Sequence, residues 1–259
     1  METTKKKPKK QKKSDYTKFN KYIIDILLQI HPDTSLKSET LNELNNIIKF
    51  LVHRFAQITN LLLENSSKIT VGSIAVMHAT NLILNGELIE HAISQGSRAL
   101  TNLNYEIKNP RETEQAIRES NSRRAGLKLS GERIKKLFKK KLLNKTRISI
   151  GAVIFITAIV EYICAEILEL SGNAAREYKR KRISPNHLKL AIKSDKELSI
   201  LFKDFIFTGK MVKDLSYFPS SLLPPKKKSP SKKKTSSSEK KTSPSKKKKS
   251  LTKKKSTKK

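Results

Sequence analysis

The sequence predicts an all-α fold made of two tandem copies of one helical unit, and three observations carry that prediction. Glycine is scarce, 8 in 259 residues, while apolar residues recur at three- and four-residue steps over long stretches. A short–long–short run of such stretches occurs twice. The positive charge sits mainly at the ends: residues 226–259 carry net +16 and residues 1–13 net +6, two thirds of the total of +33. Lysine-rich tails of this kind bury no core and are expected to be disordered, which leaves residues 14–225 to fold.

In the first unit, Tyr16, Phe19, Ile23, Ile26, Leu27 and Ile30 form one face of a short helix that Pro32 ends. Ser38 reads as the N-cap of a long helix, with Glu39 suited to its first turn. Leu41, Leu44, Ile47, Ile48, Leu51, Val52, Phe55, Ile58 and Leu62 then hold one face for about seven turns, a span of roughly 40 Å. Beyond polar residues 64–68, Thr70 reads as the cap of a helix carrying Ile74, Met77, His78 and Leu82. Asn85-Gly86 stops it, and Glu87–Leu103 forms another.

The second unit repeats the theme. Ile134, Leu137 and Phe138 among Lys135, Lys136, Lys139, Lys140 and Lys141 predict a short basic amphipathic helix. Ser149 caps a long apolar one through Val153, Ile156, Ile159, Val160, Ile163, Ile167 and Leu170, and periodicity leaves open whether Gly172 ends it. Ser184-Pro185 marks the next start, since proline at the first helical position loses no hydrogen bond. A long helix with two short neighbours cannot bury its apolar stripe alone. Each long helix therefore predicts the other as its partner, in an intramolecular handshake.

Charge at this density points to a polyanionic partner. No apolar run is read as approaching the roughly 20 residues that span a membrane, and the N-terminus lacks an apolar signal core. One cysteine, Cys164, excludes an internal disulfide framework and reads as a core residue in a reducing, intracellular setting. His31, His53, His78, His91 and His187 lack ligand spacing with Cys or carboxylates. With no glycine-rich phosphate loop and no convergent acid, base and nucleophile, neither an enzyme nor a cofactor or metal is expected.

Two sets of motifs carry a family resemblance. Gln29-Ile-His-Pro-Asp-Thr34 and Gly86 through Leu103 resemble core histone 2B. Arg124-Ala-Gly-Leu127, Glu161 through Arg176 and Arg182 through Lys193 resemble core histone 2A. The tandem order is similar to the fused histone doublets of giant DNA viruses of the marseillevirus group. The resemblance implies two tandem histone folds and the following division: a basic tail at 1–15, a histone 2B-like fold at 16–103, a linker at 104–123, a histone 2A-like fold at 124–205, a docking segment at 206–225 and a lysine-rich tail at 226–259. It implies wrapping of double-stranded DNA, a histone 4/histone 3-type doublet as partner, a second copy of the chain in the particle, and no membrane. The implied settings are the virion, the viral factory or the host nucleus.

By position, the resemblance implies that Arg147 and Arg182 enter the DNA minor groove, and that Arg133, Lys136 and Lys139 face phosphates. Lys37, Ser38, Lys68, Thr70 and Lys179 fall at the loop contacts, with Lys68-Ile69-Thr70 lacking the arginine usual there. The helix starts near Ser38, Thr70, Ser149 and Ser184 are suited to phosphate. Glu87, Glu161, Glu166, Glu169, Asp195 and Glu197 match an acidic patch that receives arginines of other proteins, though Lys196 and Gln95 stand where family members carry acids. Leu222, Leu223 and Pro224 match the docking segment. The rival reading is a histone-fold transcription subunit that binds DNA without wrapping it.

Overall fold

A computed structural model describes residues 15–66, 68–109, 119–143 and 146–207. The proposed docking residues Leu222, Leu223 and Pro224 and both lysine-rich tails lie outside these. The first half holds α1 (Asn20–Ile30), β1 (Ser35–Leu36), α2 (Ser38–Ser66), β2 (Thr70–Val71), α3 (Ser73–Ile83) and α4 (Glu87–Lys108). The second holds α5 (Asn121–Arg124), α6 (Gly131–Lys139), β3 (Arg147–Ile148), α7 (Ile150–Glu177), β4 (Arg182–Ile183), α8 (Pro185–Ser194) and α9 (Lys196–Leu201).

The two halves clasp at both ends of their long helices. β1 pairs in parallel with β4, Ser35 beside Arg182, and β2 with β3, Thr70 beside Arg147. Backbone bonds fix the register: Ser35 N–H to the Lys181 carbonyl at 3.0 Å, Lys37 to Ile183 at 3.1 Å, Arg147 to Ile69 at 2.9 Å and Ser149 to Val71 at 3.0 Å. β1 precedes α2 while β4 follows α7, and β2 follows α2 while β3 precedes α7. The start of each long helix therefore lies at the end of the other. Between these ends one buried cluster joins Ile48, Leu51 and Phe55 of α2 to Ile156, Ile159 and Ile163 of α7.

α7 is apolar almost all round because it is covered almost all round, by α2 and also by α1, α3, α4, α6 and α8. This corrects one expectation. By length and composition α7 could cross a membrane, but 67% of its most apolar window is buried within the fold. A helix apolar on every side belongs in a core or in lipid. Here it is the core.

Glycine sets two of the closest approaches. A Cβ at Gly96 would lie 2.8 Å from the Phe155 ring, so α4 can press onto α7 only without one. α7 also runs through Gly172 to Glu177, because the bare backbone there admits the His31 ring, with which a Cβ would collide. The His31 Nε2 lies 3.1 Å from the Glu169 carbonyl and donates to it, which locks the His-Pro-Asp turn of the first half onto the second. Gly172→Leu is expected to cost about 1–3 kcal/mol through overpacking. Thermal unfolding checks it, and an unchanged midpoint would contradict this packing.

Three helix starts differ from the sequence reading. α1 begins at Asn20 instead of taking in Tyr16, because the Asp15 carboxylate accepts both the Thr17 N–H (3.0 Å) and its hydroxyl (2.6 Å) and bends the chain first. Lys37, not Ser38, provides the carbonyl for the first bond of α2, from the Leu41 N–H, so Ser38 is the first helical residue. Thr70 belongs to β2 and caps nothing; Gly72 stands at the start of α3. In both long-helix connections the residues before the helix are drawn into strand pairing. α4 also continues past Leu103 to Lys108.

Candidate nucleic-acid interface

The strand pairs bring the anticipated basic residues together from opposite halves. At one end, Lys37 and Ser38 of the first half stand beside Arg182 of the second, with Lys179 in the loop leaving α7. At the other, Lys68 and Thr70 stand beside Arg147. All seven are exposed. The clusters thus need both halves to exist.

Two helix starts add oriented donors. The Ser149 hydroxyl accepts the Ala152 N–H at 3.1 Å and caps α7. Ser184 and His187 form a capping box at α8, with Pro185 in the first turn. Ser184-Pro185 was legible in the sequence as a helix start, whereas His187 was read only as a histidine without ligand spacing. The spacing Ser-x-x-His was the available signal, obscured because such boxes ordinarily carry Glu or Gln at that place.

On α6, Lys136 and Lys139 are exposed, whereas Arg133 is already engaged. Its Nη1 donates to the Asp15 carbonyl at 2.6 Å and the Lys18 carbonyl at 2.8 Å, and the guanidinium lies 5.8 Å from the centre of the Tyr22 ring. Arg133 therefore ties the start of the first half to the basic helix of the second.

Five of the six anticipated acids line two cavities, and Glu169 is exposed and lines neither. Glu87, Glu166, Asp195 and Glu197 line one cavity of about 470 Å³ with Leu88, His91, Tyr162 and Lys196. Burial pushes the Glu166 carboxyl up, and Glu169 and Asp195 add to the effect. Burial and the surrounding carboxylates raise the Tyr162 phenol to about 12. Two of these acids also have backbone duties. Glu197 accepts the N–H groups of Glu87 (2.8 Å) and Leu88 (3.0 Å), holding the start of α4, and Asp195 caps α9 through the Leu198 N–H at 2.7 Å. Gly86, at φ +56°, makes room: a side chain there would overlap the Glu197 carboxylate.

Glu161 departs from the expected patch. It lines a separate cavity of about 210 Å³ with Gln95, and one of its oxygens accepts the N–H groups of Lys128 (2.8 Å) and Leu129 (2.7 Å). Burial raises its carboxyl, the two backbone bonds opposing. A carboxyl raised by folding contributes stability that is present below its ordinary range near 4.5 and lost as pH rises through its folded value. An amide oxygen can accept the same two bonds without carrying the buried charge. Glu161→Gln is therefore expected to raise the unfolding midpoint at pH 7 by about 2–4 °C and to leave it unchanged below about pH 4. A lower midpoint at pH 7 would show that the charge itself is needed.

Among the described residues, no group of three or more His, Cys, Asp or Glu side chains could hold a metal ion. A model of the core histone domain, common to histones 2A, 2B, 3 and 4, matches residues 108–194. The histone 2B–histone 2A doublet of Melbournevirus is 34% identical over 216 residues, covering 83% of this chain and 76% of that protein. The Z-type histone 2A of Lodderomyces elongisporus is 44% identical over 113 residues, 44% of this chain and 84% of that protein. The Z-type histone 2A of Eremothecium gossypii is 50% identical over 91 residues, 35% of this chain and 68% of that protein.

Proposed function

The chain belongs to the histone family as a histone 2B–histone 2A doublet, and from that premise we propose that it packages double-stranded DNA by wrapping it. It serves as the 2B–2A component of a nucleosome-like particle completed by a histone 4/histone 3-type doublet and a second copy of itself. The observation that carries this reading is the pairing of Thr70 with Arg147 and of Ser35 with Arg182, which gathers exposed cations at both ends of the crossed long helices. Arg147 and Arg182 enter the minor groove, Lys37, Ser38, Lys68, Thr70 and Lys179 hold the backbone beside them, and Lys136 and Lys139 face phosphates. Arg133 positions α6 for that contact. Such binding reads charge and deformability and gives little base specificity.

A partner surface is supported by Leu61, Ile74 and Leu82, which are 54%, 65% and 64% exposed on the last turns of α2 and on α3. Large apolar side chains exposed together mark interaction sites. The histone 4/histone 3-type doublet covers them, while the segment 206–225, with Leu222, Leu223 and Pro224, leans on the same doublet. The acidic cavity receives arginines of other proteins, more weakly than a patch with acids in place of Gln95 and Lys196, since Lys196 adds a positive charge to the lining. The particle acts in the virion, the viral factory or the host nucleus, and the chain has no catalytic role.

Nuclease digestion of DNA reconstituted with this chain and a histone 4/histone 3-type doublet tests the proposal. Protected fragments of one recurring length are expected. DNA bound but digested to completion would overturn wrapping and support the transcription-subunit reading.

A further inference from the structure

The loop from Tyr178 to Ser184 carries four consecutive cations, Lys179, Arg180, Lys181 and Arg182. Its turn is left-handed at Lys179, φ +52°, a conformation uncommon for a residue other than glycine. Both ends of the loop meet at one side chain. His187, in the first turn of α8, lies against Tyr178 with ring centres 5.9 Å apart and planes 6° from parallel. Its Nδ1 accepts the Ser184 backbone N–H at 3.3 Å, while the Ser184 side chain accepts the backbone N–H of His187. The residue is 5% exposed.

A glutamate or glutamine at this place accepts at any pH near neutrality. Histidine accepts through Nδ1 only while neutral. The charges acting on the ring are Lys37, ahead of α2, and Arg180, in the loop leaving α7; both oppose a proton, as burial does. The remaining charges of the loop are basic, and α8 itself adds Lys189 and Lys193.

We propose that His187 is a positioning residue for DNA: its neutral imidazole staples the 178–184 loop so that Lys179 and Arg182 are presented beside β1, and its protonation opens the staple. The proposal rests on the reading of the β1–β4 end as a DNA contact. A proton on Nδ1 turns the acceptor into a donor facing the Ser184 N–H, so that bond is lost and a fifth cation joins the loop. The loop is therefore held at pH 7 and released only below the ordinary range of histidine, since burial, Lys37 and Arg180 hold the proton off the ring.

The test uses the full chain as wild type, His187→Gln, His187→Ala and Arg182→Ala. In the free protein, NMR follows the imidazole titration and the hydrogen exchange of the Ser184 amide. The amide is expected to lose protection in step with His187 protonation in the wild type and to keep it over the same pH range in His187→Gln. Binding to a mixed-sequence duplex at fixed salt is then compared at pH 7.5 and at the acid end of the imidazole titration that NMR gives. The wild type should lose about fivefold relative to His187→Gln on acidification, the worth of one helix cap, and His187→Ala should be weak at both. Ser184 exchange indifferent to the imidazole titration, or the same pH profile for wild type and His187→Gln, would overturn the staple. Arg182→Ala binding as tightly as wild type would instead remove the DNA contact at this end, with the staple still judged by amide exchange.

Discussion

Ile159→Asp is expected to unfold both halves of the chain at once. Ile159 is fully buried at the middle of α7, in the cluster it shares with Ile48 and Leu51 of α2. An unpaired carboxylate there costs several kcal/mol, against a total stability of about 5–15 kcal/mol for a domain. Because each half covers the other's stripe, α2 should lose its amide protection together with α7, although the substitution lies only in α7. Ile150→Asp, at a position 56% exposed on the same helix, should change the unfolding midpoint little. Hydrogen exchange with mass spectrometry checks the pair. Retained protection across 38–66 in Ile159→Asp would mean that the first half folds without the second.

The double variant Arg147→Ala/Arg182→Ala should lose DNA binding while keeping its fold. Both arginines are exposed, and each stands in a two-residue strand whose pairing uses backbone groups, so removing the guanidinium leaves the clasp intact. Each phosphate neutralised contributes about 0.9 to the slope of log affinity against log salt. The double variant should show a slope shallower by about 2, and affinity at least tenfold lower at about 0.15 M salt. Fluorescence anisotropy across a salt series, with the unfolding midpoint as control, measures both. An unchanged slope would place the DNA contacts elsewhere on the surface.

Much of this architecture was legible in the chain. The recurrence of Leu41 through Leu62 and of Val153 through Leu170 marked two long helices whose stripes demanded one another, and that demand is met by the shared core. The caps at Ser149 and Ser184 were legible because they are local. What could not be read was non-local. Thr70 meets Arg147 across the fold, and that pairing shifts the start of α3 beyond Thr70, where a one-dimensional capping rule placed it. The acids show the same limit: Glu161 and Glu197 look like surface charge, yet each accepts a backbone N–H from a distant part of the chain that packing brings to it. By periodicity Gly172 looked like a possible stop, because the ring that needs its bare backbone, His31, is supplied by the other half; only the family resemblance, which carries the helix on to about Tyr178, pointed past it.

A lysine crosslink decides the clasp most directly. Lys37 donates its N–H to Ile183, and Ser35 to Lys181, so Lys37 and Lys181 flank the same strand pair. With dilute protein and a short amine-reactive reagent, peptide mapping of the single-chain gel band should recover the Lys37–Lys181 link. Its absence from that band, or its recovery only from crosslinked dimers, would contradict a handshake formed within one chain.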